Sequence, residues 1–582
     1  MEIFVANRLL IIENGQLNCE RTLKQEATRY EIRKMIFTLH RYIFREVFKV
    51  FILTAAALTL ILSLGSVLGP VQKYGVGPQQ VLHLMGYFLP ITLTFVLPIA
   101  ALFAAALVYG RFAGDNELDA CKASGVSLLS LIYPGLALAI MVAIANLILS
   151  FYVMPAFVHR AEKSIKADAK QILFRNIQRK GYYAVPDHRH MIYADQANSQ
   201  NDTLSGVVIT KTKYGDIQEI TVAEKARVHF ISHDNFNEVQ ITAYNTSQMD
   251  SEDEAWFYAQ SLSLTAEFGS LLGDNIRFKK IDEMKRIRDV DPMAFYPIAK
   301  LARQVQAQFC AELLAEDIAE KIGVPNTSDK ASSQTTDDKD RLYKLHSGEK
   351  FIEFRANRCR VRDEKRVELT GKVLVKESDV AGGRLLRILR CTKAVLRIEG
   401  EEVSPNLTME LYSPHWQQAN GEEGMAAGWF RIRGLILPNT VKDHFKSTNI
   451  LKNIQPEVIV SALNRQPKAE LKRLLNELKR ILRRTMVEIE AETHSRLVFG
   501  TGCIAMIAIG IGLGIILKGG HLLNAFGASC VPAALLIVCI MSGYQIARNP
   551  DAHAGSGIGL MWAGLGLLVL LAAGIYHRLM KN

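Results

Sequence analysis

The pattern of apolar and polar positions divides the chain into three blocks. Three long apolar runs come first, Val50–Val71, Tyr87–Tyr109 and Val126–Met154, and a polar stretch follows from residue 155 to 496. Three more runs close the chain, Leu497–Leu517, Leu522–Ala547 and Gly555–Tyr576. None of the six contains Asp, Glu, Lys or Arg. Each has the roughly 20 residues that a helix needs to cross about 30 Å of hydrocarbon. Inside a bilayer only a helix satisfies its own backbone within one segment. The pattern predicts an α-helical membrane bundle of six transmembrane helices, three plus three, with a large region spliced between the halves.

In that inserted region the period changes. Val207–Thr212, Ala226–Phe230 and Val239–Tyr244 alternate apolar and polar positions between clusters of Asn, Asp, Gly and Ser, which predicts short strands and a mainly β region. The segment from Ala223 to Asn245 aligns without gaps to the segment from Cys391 to Ser413, a separation of 168 residues. Lys225 falls on Lys393, Ala226 on Ala394, Val228 on Leu396, Ile241 on Met409 and Tyr244 on Tyr412. Two readings stay open, a second β module or one expanded sandwich in which amphipathic hairpins look alike. Ile281–Lys321 has a helical pattern, and Gly323–Asp340, rich in Ser, Thr, Asp and Lys, reads as a linker. Lys468–Arg484 places Leu471, Leu474, Leu475, Leu478, Ile481 and Leu482 at helical spacing, against seven Lys or Arg and two Glu, a basic amphipathic helix.

Charge sets the orientation. The arm from Arg8 to Lys49, the loop with Arg111 and Lys122, Lys518, and Arg578 with Lys581 all fall on one side of a six-span chain, while the other side's short loops hold Lys73 and Arg548. The positive-inside rule puts both termini in the cytoplasm and the insert outside, in the periplasm of a two-membrane bacterium. The net charge of +11 lies largely near the membrane, and no nucleic-acid motif accompanies it. The expected organisation is an N-terminal extension over 1–34, then three spans over 35–154 with a short cytoplasmic helix near 112–124. A periplasmic β module with a helical segment follows over 155–322, and a linker over 323–344. A second periplasmic β module fills 345–465, the basic helix 466–496, and the last spans 497–582. Residues 1–34 have no signal-peptide core; Met35 offers an alternative start, and a cytoplasmic helix on the membrane is the other reading.

The chemistry is sparse. No Walker A, H-E-x-x-H or G-x-S-x-G pattern occurs, so this chain is expected to be a non-catalytic subunit without a cofactor or metal. The spans lack the ionisable groups that ion-coupled transporters use. Cys359 and Cys391 lie in neighbouring strand-like segments, either paired in an oxidising compartment or reduced and buried. Between spans two and three, Arg111 marks a membrane edge and Asp115-Asn116-Glu117-Leu118 starts a short helix, with Asn116 or Asp115 as its cap. On physics alone this is either a docking helix with an exposed carboxylate or an ordinary solvated loop.

The motifs here resemble the permease family of the lipopolysaccharide-export ABC transporter, LptF/LptG (YjgP/YjgQ). That family follows a Gly-Arg edge with S-E-L-x-x-x-x-A-x-G-x-S; this chain has Gly110-Arg111, then Asn116-Glu117-Leu118, Ala123, Gly125 and Ser127. Arg41-Tyr42 with Arg45-Glu46 resembles its R-Y-x-x-R-E opening, and Glu492, His494 and Arg496 resemble its E-x-H-R-R-L entry to span four. Asn116 stands for the usual Ser, and Ser495 for the first Arg of the pair. The likeness covers about 35–310 and 465–580. The inserted region is about twice the family's usual single jelly-roll, and residues 345–415 resemble the OstA-type jelly-rolls of other export-bridge components. The resemblance implies an inner-membrane permease subunit that pairs with a second permease chain and a cytoplasmic ABC ATPase dimer, which uses the ATP. It implies extraction of lipopolysaccharide or a similar glycolipid and delivery to a periplasmic bridge protein through jelly-roll-like domains, two modules here. It assigns ATPase coupling to Arg111, Glu117, Leu118, Ala123 and Gly125, and headgroup binding to Lys73. The alternative is a non-transport scaffold or sensor with a β-rich binding domain.

Overall fold

The computed structural model describes residues 37–65, 78–323 and 342–442 apart from short loop segments, and 468–581 apart from 518–521 and 550–553. Among the described residues, six helices are long and apolar enough to cross a membrane. They are α1 (Phe37–Gly65), α2 (Pro78–Gly114), α4 (Leu128–Ile148), α9 (Ala469–Ile516), α10 (Leu522–Arg548) and α11 (Ala554–Lys581). A short helix, α3 (Glu117–Ala123), joins α2 to α4, and α4 runs through a π-helical turn (Leu149–Val153) into α5 (Met154–Ala167). The basic amphipathic segment and span four form one continuous helix, α9. The chain divides into two compact units. One gathers the spans with the segment Ile276–Ile281, and the other gathers Glu162–Asn275 and Asp282–Met486.

α1 packs through one stripe, and close approach between spans comes through small residues. On α1, Ile43, Val47, Phe51 and Ala55 recur every fourth position and are buried, while Leu53, Leu60 and Ile61 remain exposed. Ala100, Ala101, Ala104 and Ala105 of α2 are buried in the same cluster. A Cβ on Gly514 of α9 would lie 2.8 Å from the Ala106 carbonyl oxygen, and one on Gly510 would lie 3.1 Å from that of Leu102. Glycines four apart thus bring α9 against the backbone of α2. Gly543 and Gly557 do the same for α10 and α11.

In the second unit, α6 (Ala169–Lys180) precedes a six-stranded antiparallel meander. Its strands are β1 (Tyr182–Ala184), β2 (His190–Asn198), β3 (Thr203–Lys213), β4 (Asp216–Ser232), β5 (Asn237–Asp250) and β6 (Ala255–Phe268), in sequence order across the sheet. Leu173, Phe174 and Ile177 of α6 cover one face, against Ile192, Ile209, Ala223, Val228, Val239 and Ile241. A short 3₁₀ turn (Ile276–Phe278), α7 (Ile281–Asp289) and α8 (Tyr296–Ile322) follow.

The second group of strands closes on itself. It contains β7 (Tyr343–Ser347), β8 (Lys350–Arg355), β9 (Arg358–Arg362), β10 (Arg366–Asp379), β11 (Leu385–Glu399), β12 (Asn406–Tyr412), β13 (His415–Gln418), β14 (Glu423–Met425) and β15 (Trp429–Ile436). Pairing runs β11–β12–β15–β7–β8–β10 and returns from β10 to β11, a ring of six antiparallel strands with β9 and β13–β14 attached. Two glycines at positive φ mark irregularities in the strand pairing. Gly371 (φ 98°) sits in β10 between its pairing with β9 and its pairing with β8. Gly434 (φ 74°) sits beside a register shift in β15, just before that strand meets β7. Phe354, Leu369, Val375, Leu396, Met409 and Leu435 of the ring are all buried, and α8 packs across β7, β9, β10 and β11. At one mouth, burial works to raise the Glu377 carboxyl, but hydrogen bonds and charge from Arg387 and Lys350 outweigh it and hold it below the usual range.

The repeated segments are hairpins with the same register. Lys225 pairs with Tyr244, Val228 with Ile241 and Phe230 with Val239 in β4–β5; Lys393 pairs with Tyr412, Leu396 with Met409 and Ile398 with Leu407 in β11–β12. The disulfide option for Cys359 and Cys391 is corrected. They lie on β9 and β11, on opposite edges of β10, so two strand spacings of about 4.8 Å separate them, beyond disulfide reach. Burial pushes their thiols up, to about 12 and about 11.

Candidate functional site

The loop between α2 and α4 is a built structure whose motif residues have separate mechanical roles. Leu118 is buried with Phe112, Ala113 and Leu131, which seats α3 on the bundle. Glu117, Asp119, Lys122 and Ala123 are exposed. Asn116 occupies the N-cap position at φ 57° without a side-chain capping bond, so the expected capping role for its side chain is not realised. The C-terminus of α3 explains Gly125. At φ 84° its N–H donates to the Lys122 carbonyl (2.9 Å), and the Val126 N–H donates to the Cys121 carbonyl (3.1 Å), a Schellman closure that needs a left-handed residue. Ser127 then caps α4, its Oγ accepting from the Ser130 N–H at 3.3 Å. Gly125 ends one helix and Ser127 starts the next.

The structure brings two separate motifs together at this end of the bundle. Arg111 lies 3.7 Å from Glu46 of α1, which also accepts from Lys49 at 2.9 Å. Tyr42 stacks on Phe112 at 5.9 Å, and His40 Nε2 is 2.9 Å from Ser130 Oγ. Tyr109, about two turns before α3, was not singled out by the sequence. Its hydroxyl donates to the Leu131 carbonyl (3.0 Å) and accepts from the Gly135 N–H (3.1 Å), on either side of Pro134. Proline interrupts the α4 ladder, and the tyrosine hydroxyl bridges it from α2. A Cβ on Gly135 would meet that ring at 2.9 Å. Tyr109 thus ties α2 to α4.

The third motif lies at the other end of α9's membrane segment. Glu488, Glu492 and Arg496 recur every fourth residue on one face. Tyr544 of α10 donates to Glu488 at 2.8 Å, Arg548 lies 3.6 Å from the same carboxylate, and Arg277 stacks on the Tyr544 ring at 4.4 Å. His494 Nδ1 accepts from Trp562 Nε1 at 3.3 Å. Pairing between these groups was invisible in sequence because Arg277 is more than two hundred residues from Glu492.

In the meander, the face away from α6 carries one cross-strand row that touches every strand, Tyr182–Tyr193–Val208–Val222–Ser247–Tyr258. Tyr182, Tyr193, Val222 and Tyr258 are exposed, with Met249 beside them. Tyr182 and Tyr193 rings lie 5.8 Å apart. Lys73 lies outside the described residues.

Residues 41–291 match the sequence model of the family described as lipopolysaccharide export system permease LptF/LptG, the family that the three motifs resemble. The match takes in α1 to α5, the meander and α7, and stops before the closed ring. No curated protein matches the chain.

Proposed function

We propose that this chain is the permease subunit of an ABC transporter that extracts lipopolysaccharide or a related glycolipid from the inner membrane and passes it to a periplasmic bridge. The family match over α1 to α7 carries this reading. The chain would pair with a second permease of its kind and with a cytoplasmic ABC ATPase dimer that uses the ATP. The α3 helix would dock in the ATPase, Glu117 presenting the carboxylate while Arg111, Leu118, Ala123 and Gly125 fix the helix in place. Both termini would be cytoplasmic and the inserted unit periplasmic. The meander would serve as the family's jelly-roll does, its tyrosine-rich face shielding acyl chains whose burial is worth about 0.8 kcal/mol per CH₂. Lys73 would meet an anionic headgroup.

Purification from native membranes, followed by mass spectrometry of bound protein and lipid, tests the reading. An ABC ATPase and a glycolipid are expected in the complex. In reconstituted liposomes Glu117→Lys should lower glycolipid-stimulated ATPase activity about tenfold, the scale of losing one buried charged contact, with membrane insertion retained. A complex without an ATPase would favour the scaffold or sensor reading.

A further inference from the structure

Arg496 has an arrangement that the transport reading does not assign. Its side chain is 3% exposed. Nε donates to Glu492 at 3.0 Å, Nη1 to the carbonyls of Ser150 (3.0 Å) and Lys279 (3.3 Å), and Nη2 to the carbonyl of Arg277 (2.8 Å). The guanidinium also lies over the Phe151 ring at 5.5 Å.

The local sequence makes the Ser150 carbonyl available. In the π turn the Met154 N–H bonds to the Leu149 carbonyl, one residue farther back than in an α-helix. The next residue is Pro155, which has no N–H. Neither the α nor the π ladder can therefore satisfy Ser150, and Arg496 supplies the missing donor. The other two carbonyls belong to the short segment Ile276–Ile281, which groups with the spans although β6 precedes it and α7 follows. Glu492 holds the same segment from a second side, 3.7 Å from Arg277. One guanidinium thus joins α9, the end of α4 and the returning chain.

We infer that Arg496 is a positioning residue that clamps the segment 276–281 to the spans, so that movement of α4 and α9 is delivered into the chain leading to β6 and α7. The inference rests on the transport reading. A planar fork with five donors can hold three carbonyls and a carboxylate at fixed angles; a lysine ammonium keeps the charge and loses that geometry.

The test uses the full chain with its co-purified ATPase in liposomes that contain lipopolysaccharide, comparing wild type with Arg496→Lys and Arg496→Met. Two quantities are read, hydrogen exchange of the 276–281 amides and glycolipid released per ATP hydrolysed. Losing several charge-assisted hydrogen bonds is expected to speed exchange in Arg496→Met about tenfold or more. Exchange in α2 and α3 should stay unchanged. ATP hydrolysis should continue while release per ATP falls by about the same factor, with Arg496→Lys intermediate. If Arg496→Met does not assemble, the lysine variant carries the test alone. Unchanged exchange in an assembled variant, or faster exchange with undiminished release per ATP, overturns the clamp. A wild type that releases no glycolipid overturns the transport reading and the clamp with it.

Discussion

The two β regions contain the same hairpin in the same register and end as opposite kinds of object. In β4–β5 the hairpin is the middle of an open sheet, with α6 on one face and a row of exposed tyrosine and valine on the other. In β11–β12 it is part of a closed ring whose buried residues include Leu396 and Met409, with α8 packed across its strands. The hairpin does not decide between these outcomes. Corners do, since Gly371 lets β10 exchange β9 for β8, and Gly434 lies at the register shift where β15 takes on β7 while still paired with β12. The open sheet exposes Tyr182, Tyr193, Val222, Met249 and Tyr258, whereas the exposed large apolar side chains among the described residues of the ring are Phe351, Leu386 and Met425.

The largest expected effect sets an interior position of the ring against a surface position of the open sheet. Leu369→Asp buries a carboxylate without a partner and should cost about 4 kcal/mol, seen as loss of hydrogen-exchange protection in β10 and β11. Val222→Asp, on the exposed row, should stay within about 1 kcal/mol in β4 and β5. Equal losses would erase the distinction between an open and a closed sheet.

Corner glycines come next. A Cβ on Gly371 would meet the Asn357 Cβ at 2.7 Å, at a φ of 98° that suits no L residue, and Gly371→Ala should destabilise the ring by about 3 kcal/mol. Gly206 in β3 has φ 62°, which L residues adopt at lower cost than 98°, and its Cβ would meet the Asp195 carboxylate, which can turn away, and the Asp195 Cβ at 3.1 Å, which must give slightly. Gly206→Ala should cost about 1 kcal/mol. Both are read by exchange of the flanking strands in the full chain.

Acid should act on the ring through Glu377. Its folded carboxyl lies below the usual range, so its contribution is complete above the ordinary glutamate value of about 4.3 and is lost as pH falls through the depressed folded value. Glu377→Gln should lower ring stability by about 2 kcal/mol at neutral pH and flatten this acid limb. An unchanged limb would remove Glu377 as its source. Smallest of all, Lys393→Ala removes an ion pair with Glu368 (3.3 Å) and a contact over Tyr412 (4.9 Å), and should cost about 0.5 kcal/mol in urea or exchange measurements.

Periodicity revealed the helices and hairpins because burial on one face leaves a repeat that can be read locally. The spans, the β character of the insert and the Lys225/Lys393 repeat were all legible in that way. Ring closure was not, because it depends on β15 meeting β7 far back along the chain, Leu435 against Ser347. The segment between α2 and α4 was legible as a motif, yet the reasons for Gly125 and Ser127 came only from their hydrogen bonds. Tyr109 was hidden for another reason, since a tyrosine inside an apolar run looks like packing until Pro134 is found beside it. Glu492 and Arg496 were visible as a motif, and their partners Ser150, Arg277 and Lys279 were not.

The open-versus-closed contrast is tested most directly by photocrosslinking in cells that export glycolipid, with a photoreactive amino acid placed at Val222 on the open face or at Lys372 on the outside of the ring. ATP-dependent glycolipid adducts are expected at 222 and none at 372. Equal adducts at both positions, or adducts at 372 alone, would contradict the assignment of the lipid path to the meander.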